Sequence, residues 1–183
     1  DYVTDGKSFK QSRNYLQKNI FGVDRDPLAV QVSRFALLVS LARKLDFDSS
    51  NENHLLPDLT NQIVCQDFLT YESKVKYDLA VGNPPWGSID SEVKDKKIKL
   101  SLKSYESYCD KTDISIYVLE RAFNMLSTKG KMGFLTQRSV IDGEKHETFR
   151  NWWSGRVSKV WDYERDTLFA PRNNALTAVL IGK

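Results

Sequence analysis

Two adjacent prolines, Pro84 and Pro85, restrict this chain more than any other pair of residues in it. They interrupt the stretch YDLAVGNPPWG at residues 77–87. Neither proline carries a backbone donor and each holds φ near about −65°, so no strand can run through them. The apolar run at residues 77–81 therefore reads as a buried parallel strand that has to stop by Gly82. A stiff polar and aromatic corner, Asn83-Pro84-Pro85-Trp86, begins where that strand ends. In an open α/β sheet, ligands sit in the crevice beyond the carboxyl ends of the strands.

The corner brings a defined set of groups to that place. Asn83 offers an amide oxygen, Pro84 a carbonyl, and Trp86 a flat face large enough to stack on a nucleobase. Two acceptors beside a stacking face suit an exocyclic amine. The same four residues would serve equally as a strand-ending turn capped by a core tryptophan, and the chemistry alone leaves both readings standing.

Upstream, residues 1–18 read as a polar loop running into a short helix, and residues 19–23 (NIFGV) as a short strand. The turn Asp24-Arg25-Asp26-Pro27 then leads into a helix from Leu28 to about Lys44, with Asp26 as N-cap and Pro27 at the first helical position. That leaves the Asp24 carboxylate without a capping role. In the helix, Val30, Phe35, Leu37, Leu38, Leu41 and Ala42 leave few polar faces, which predicts packing on a sheet. Residues 46–61 form a surface connection with Leu55 and Leu56 tucked down, and residues 63–66 a strand that ends at Asp67-Phe68-Leu69. An aspartate and a phenylalanine after a strand also fit a turn residue beside a core ring.

Downstream of the corner the composition changes. Lys94, Lys96, Lys97, Lys99 and Lys103 face a single Asp95 within ten residues, and Tyr105, Tyr108 and Lys111 follow. The segment 94–111 reads as an insertion or lid: either a solvated charged face or a surface that grips phosphates. Thr112 or Asp113 caps a helix running to about Ser127, with Gly130 as its stop and a strand at 131–136. A short helix at 144–153 ends in Trp152 and Trp153, of which one is expected at an interface or sheet edge. Strands at 157–163 and 175–181 complete the pattern.

A length of 183 residues with 40% hydrophobic content suits one domain, residues 1–183, with no second domain. The net charge of +3 hints at nucleic acid only weakly. Two cysteines, Cys65 and Cys109, make no disulfide framework, and with His54 and His146 they make no zinc spacing, so no metal is expected and a reduced cytoplasmic setting is. No apolar run long enough to span a membrane occurs.

NPPW at residues 83–86, with the apolar run before it and GVDRDP at 22–27 upstream, resembles the catalytic motif of the amino-methyltransferases that use S-adenosylmethionine. It is most similar to the restriction–modification N6-adenine DNA methyltransferases of the gamma order, of type IIG or type I-like organisation. The resemblance implies an α/β fold, a Rossmann-like class I methyltransferase sheet with helices on both faces. It implies double-stranded DNA as substrate, with the remainder of a parent polypeptide or a specificity subunit as partner. Asn83, Pro84, Pro85 and Trp86 become the catalytic corner, Asp24 the acceptor for ribose hydroxyls, Asp67 the acceptor for the cofactor's adenine amine, and Phe68 or Leu69 the cover for its ring. Phe169 is the candidate to pack on a flipped base, and Lys94, Lys96, Lys97 and Lys99 are candidates for DNA contact. Asp113 matches an acidic position near the pocket wall.

The family's first motif, a glycine-rich turn after a first strand, has no counterpart in residues 1–21. The expectation is thus a sheet whose first strand is missing from this chain, a fragment inactive alone. Protein glutamine and RNA guanine-N2 methyltransferases share the Asn-Pro-Pro-aromatic corner and remain an alternative, as does a non-catalytic segment that only contacts DNA.

Overall fold

The computed structural model describes residues 8–43, 56–162 and 177–182. The chain divides into two compact units, Asp1–Tyr71 and Glu72–Lys183.

In the first unit, α1 (Phe9–Asn19) starts with a capping box: the Ser8 hydroxyl accepts from the Gln11 N–H, and the Gln11 side chain accepts from the Ser8 N–H. The strand expected at 19–23 lies later, as β1 (Gly22–Asp24), because α1 continues through Asn19. Asp26 caps α2 (Pro27–Ala42) by accepting from the Leu28 N–H, with Pro27 at the start as expected. β2 (Ile63–Cys65) pairs parallel with β1, Asp24 lying opposite Cys65. The core is Val30, Leu59 and Ile63, with Ile20, Leu37 and Leu38 packed on it. Leu59 is the anchor of the connection before β2, while Leu56 is 44% exposed, contrary to the expectation that it tucks down. The Arg34 guanidinium ties α2 to β2, its Nε donating to the Ile63 carbonyl at 2.9 Å. Leu28, Val32, Phe35 and Val39 form an exposed stripe on α2, so the helix buries only part of the apolar surface its sequence offers.

In the second unit, four strands line up in the order β3-β4-β6-β5. β3 (Tyr77–Gly82) runs parallel to β4 (Leu126–Gln137), and β6 (Thr177–Gly182) is antiparallel to both β4 and β5 (Val157–Asp162). β3 is not buried as its sequence predicts: Leu79 is 65% and Val81 72% exposed. Among the described residues β3 pairs with β4 alone, which leaves its other edge unpaired.

Between β3 and β4 come the short helices α3 (Ile89–Glu92) and α4 (Lys96–Ser101), a 3₁₀ turn at Leu102–Ser104, and the central helix α5 (Ile114–Asn124). α5 packs against β4, with Ile116, Tyr117 and Leu119 fully buried. Its end is Asn124 with Met125 as C-cap, so Gly130 is not the helix stop. Gly130 lies inside β4 instead, where an added Cβ would stand 2.7 Å from the Tyr77 carbonyl oxygen.

After β4 comes α6 (Ser139–Asp142), and the helix expected at 144–153 is a 3₁₀ turn at Glu144–His146 followed by α7 (Glu147–Trp153). Both tryptophans at the end of α7 are buried, at 6% exposure each, so neither sits at an interface or sheet edge. The reason is Phe149, which lies three and four residues earlier on the same helix: its ring is 5.8 Å from Trp152 and 5.4 Å from Trp153. Phe123 closes the cluster edge-on to Trp152 at 5.4 Å, and the Arg156 guanidinium lies 5.0 Å above the Trp152 ring.

Candidate active site

Gly82 ends β3 opposite Phe134 of β4, and the turn at residues 83–86 leaves the sheet from there. A Cβ on Gly82 would come within 2.8 Å of Cε1 of Phe134, so the close approach of this strand end to its neighbour requires glycine. Asn83 and Pro85 are exposed, Pro84 is buried and Trp86 is half-buried. The turn thus presents the Asn83 amide to solvent on a backbone seated through Pro84.

Beyond Trp86 the chain is fastened to the start of α5. Gly87 has φ +133°, a conformation open to glycine, and its N–H donates to Oδ2 of Asp113 at 2.8 Å. The Gly87 carbonyl accepts from the Ile114 N–H at 2.9 Å. Asp113 is the N-cap of α5, its Oδ1 accepting from the Ser115 N–H at 2.9 Å. Thr112 meets His146 in a buried hydrogen bond, Oγ1 to Nδ1 at 2.8 Å. Burial lowers the His146 pKa, opposed by the Asp113 charge and assisted by Arg150 and Lys145.

Of the lysines, Lys94, Lys96 and Lys97 are exposed around the start of α4, which Asp95 caps through the Lys97 N–H. Lys99 is engaged by Asp90, Nζ to Oδ1 at 2.7 Å, and this contact lowers the Asp90 pKa. The far end of the lysine-bearing segment is tied to α5. The buried Glu120 carboxylate accepts from the backbone N–H groups of Glu106 and Ser107, each at 2.9 Å. The Tyr117 hydroxyl donates to the Cys109 carbonyl at 3.1 Å, and burial pushes its pKa up to about 12. A cleft of about 320 Å³ opens beside this tie, lined by Ser104, Tyr105, Glu120, Arg121, Asn124 and Met125, and includes none of residues 83–86.

In the first unit, β1 and β2 bring two carboxylates to one end of their sheet. Asp24 ends β1, where Oδ1 accepts from the Asp26 N–H at 2.8 Å. Asp67 follows β2 by two residues, where Oδ1 accepts from the Leu69 N–H at 2.9 Å. Each carboxylate is oriented through its Oδ1 by a backbone N–H two residues on. Phe68 is half-buried with its ring 6.5 Å from Tyr71. Phe169 lies outside the described residues. No group of three His, Cys, Asp or Glu side chains suited to a metal ion occurs among the described residues. Nor is any helix among them long and apolar enough to cross a membrane.

Two parts of this arrangement had no signal in the sequence. The Glu120 carboxylate and the Thr112–His146 pair join residues 13 to 34 positions apart, through contacts that no local pattern encodes. Asp113 was legible as a cap and as a match to an acidic position, but not as the acceptor for Gly87.

The family model of the Eco57I restriction-modification methylase matches residues 18–169. Among curated proteins, a type II methyltransferase, M.VspI of a Vibrio species, is 28% identical over 140 residues, covering 75% of this chain and 30% of its own length. Among solved structures, a nuclease-deletion mutant of the type ISP restriction-modification enzyme LlaGI, in complex with a DNA substrate mimic, superposes with a TM-score of 0.69 at 15% identity, over 99% of this chain and 18% of that one. A class I S-adenosylmethionine-dependent methyltransferase from Listeria monocytogenes gives a TM-score of 0.63 at 15% identity, over 94% of this chain and 48% of that one. The fold is therefore that of the class I methyltransferases, as the sequence resemblance implied. The chain spans less than a third of the length of the curated relatives it matches.

Proposed function

The chain belongs to the Eco57I restriction-modification methylase family, and from that premise we propose that it carries the base-binding corner of an enzyme that methylates the N6 amine of adenine in double-stranded DNA. The observation that carries this reading is the turn at residues 83–86. It stands at the carboxyl end of a parallel strand with Asn83 exposed and Pro84 buried, between Gly82, whose backbone lies close to the Phe134 ring, and Gly87, which is bonded to Asp113.

An adenine has to leave the DNA stack to reach this corner, at a cost of a few kcal/mol. Stacking on Trp86 would return about 1–3 kcal/mol of that. Oδ1 of Asn83 and the Pro84 carbonyl would then accept the two N6 hydrogens, which turns the nitrogen lone pair out of the amine plane and makes it a better nucleophile. Negative ends of two dipoles at the nitrogen also favour the positive charge that develops there as it is alkylated. The proton lost afterwards passes to water at this exposed corner. Holding the amine still supplies most of the remaining rate through alignment.

S-adenosylmethionine, when bound, supplies the electrophilic methyl group. The residues present fit it. Asp24 and Asp67 each keep one carboxylate oxygen beyond the local bond that orients it, at the same end of two adjacent strands, and suit a ribose diol and an exocyclic amine. Phe68 would cover the purine ring. Lys94, Lys96 and Lys97 would neutralise DNA phosphates, and Phe169 would pack on the flipped base.

The test uses the full-length protein, a labelled methyl donor and duplex DNA, with the product nucleosides separated. Methyl label on N6 of adenine, lost in Asn83→Ala while DNA affinity stays within about threefold, is the expected result. Label on RNA or on a protein glutamine in place of DNA would overturn the substrate assignment. Unchanged turnover in Asn83→Ala would overturn the corner itself.

A further inference from the structure

We infer that Asp113 is a positioning residue for the methyl-transfer corner, fastening the end of the turn at residues 83–86 to the first turn of α5. The inference rests on the reading of Asn83 and Trp86 given above and adds the device that holds them.

The two oxygens of Asp113 do separate tasks. Oδ1 caps α5 through the Ser115 N–H, an ordinary N-cap bond. Oδ2 reaches across 26 positions of sequence to the Gly87 N–H at 2.8 Å. Gly87 immediately follows Trp86, so the carboxylate fixes the backbone from which the stacking ring departs. The joint is doubled by the Ile114 N–H donating to the Gly87 carbonyl at 2.9 Å, and by a bridge between Ser88 and Asp113. One partner, Gly87, has the unusual backbone angle φ +133°, while Asp113 is extended; Lys111, two residues before Asp113, has φ +59° although it is not glycine. A left-handed lysine persists where the surroundings over-determine it. Asp113 is itself 8% exposed, so water competes poorly for its oxygens.

The anchor continues inward. Thr112 is 1% exposed and its hydroxyl engages Nδ1 of His146, which stands in the 3₁₀ turn between α6 and α7. Thr112 is thus held by His146 through its side chain while the next residue, Asp113, holds Gly87. A carboxylate fits this place better than an amide would: it accepts two N–H bonds at once, whereas Asn would present a donor to one of them.

Two measurements decide the matter. In the chain labelled with 5-fluorotryptophan and assigned by Trp86→Phe, the fluorine signal of Trp86 should shift and broaden in Asp113→Ala while those of Trp152, Trp153 and Trp161 stay in place. In the full-length protein, Asp113→Ala should lower kcat for DNA methylation about 10- to 100-fold, the loss expected for charge-assisted bonds to backbone, with KM for DNA and cofactor within about threefold. Asp113→Asn should lie between the two. An unmoved Trp86 signal, an unchanged kcat, or all four tryptophan signals moving together with Asn no better than Ala would each overturn the inference. If Asn83→Ala leaves transfer intact while Trp86 still moves in Asp113→Ala, the function assigned to the corner fails and the positioning by Asp113 stands.

Discussion

Replacing Glu120 by alanine removes the tie between the lysine-bearing segment and α5, and its effect can be worked out bond by bond. Glu120 is 2% exposed and its two oxygens accept from the N–H groups of Glu106 and Ser107, each at 2.9 Å. Ser107 is fully buried, so its amide would be left without a partner, at a cost of about 2–3 kcal/mol. Glu106 is exposed and its amide can turn to water, for a loss of about 1 kcal/mol. The buried methylene removed with the side chain adds about 1 kcal/mol. A destabilisation of about 4 kcal/mol is a large part of the ~5–15 kcal/mol that holds a domain together. With a urea slope of about 2 kcal/mol/M, the unfolding midpoint should fall by about 2 M, followed by far-ultraviolet circular dichroism. Glu120→Gln keeps one acceptor and turns a donor toward the other amide, so it should lose about 2 kcal/mol. Hydrogen exchange at the Glu106 and Ser107 amides should accelerate before the rest of the chain does. Wild-type stability in Glu120→Ala, or a Gln variant equal to wild type, would refute the reasoning.

Two further outcomes follow from the same geometry. Gly82→Ala places a methyl 2.8 Å from the buried Phe134 ring, so it should destabilise by about 1–3 kcal/mol and depress methyl transfer further than stability alone accounts for, read as turnover at saturating DNA. Because burial holds the folded-state pKa of His146 below its ordinary 6.5, the unfolded chain binds the proton more readily in the window below that value. The stabilising contribution is therefore complete above about pH 6.5 and is lost as pH falls toward the folded-state value; His146→Gln should flatten this acid limb in urea midpoints measured from pH 7 to pH 5.

Much of the local architecture was written in the sequence because its causes are local. Asp26 before Pro27 and Asp113 before an apolar helix signal caps by chemistry confined to three residues, and both do cap. The two prolines end β3 where they must. What failed to show was the number of neighbours each surface meets. Leu79 and Val81 have the apolarity of a covered strand and are exposed, because an apolar run records a strand's preference and not whether another element packs over its face. Trp152 and Trp153 seemed unable to share a core as adjacent residues, yet a single ring at Phe149 lies against both. The corner itself was legible as a motif, and Asp24 and Asp67 as strand-end carboxylates. The fastening by Asp113 was not, since a hydrogen bond over 26 positions leaves no trace in either segment.

The strand order carries a consequence for the way the second unit is made. β6 comes later in the chain than β5 but lies between β4 and β5, in register with β4 from Met132↔Gly182 to Gln137↔Thr177. A ribosome delivers β4 and β5 before the strand that has to separate them. During that interval two open edges of the same orientation wait, and direct parallel pairing between them is a trap that has to dissolve before β6 can enter. Loop closure of this kind is slow because its entropy is lost before any long-range contact is gained. Assembly of this sheet is governed by the arrival of its third strand in space, and mutations that weaken β6 should raise the yield of aggregated nascent chain well before they lower the melting temperature of what does fold.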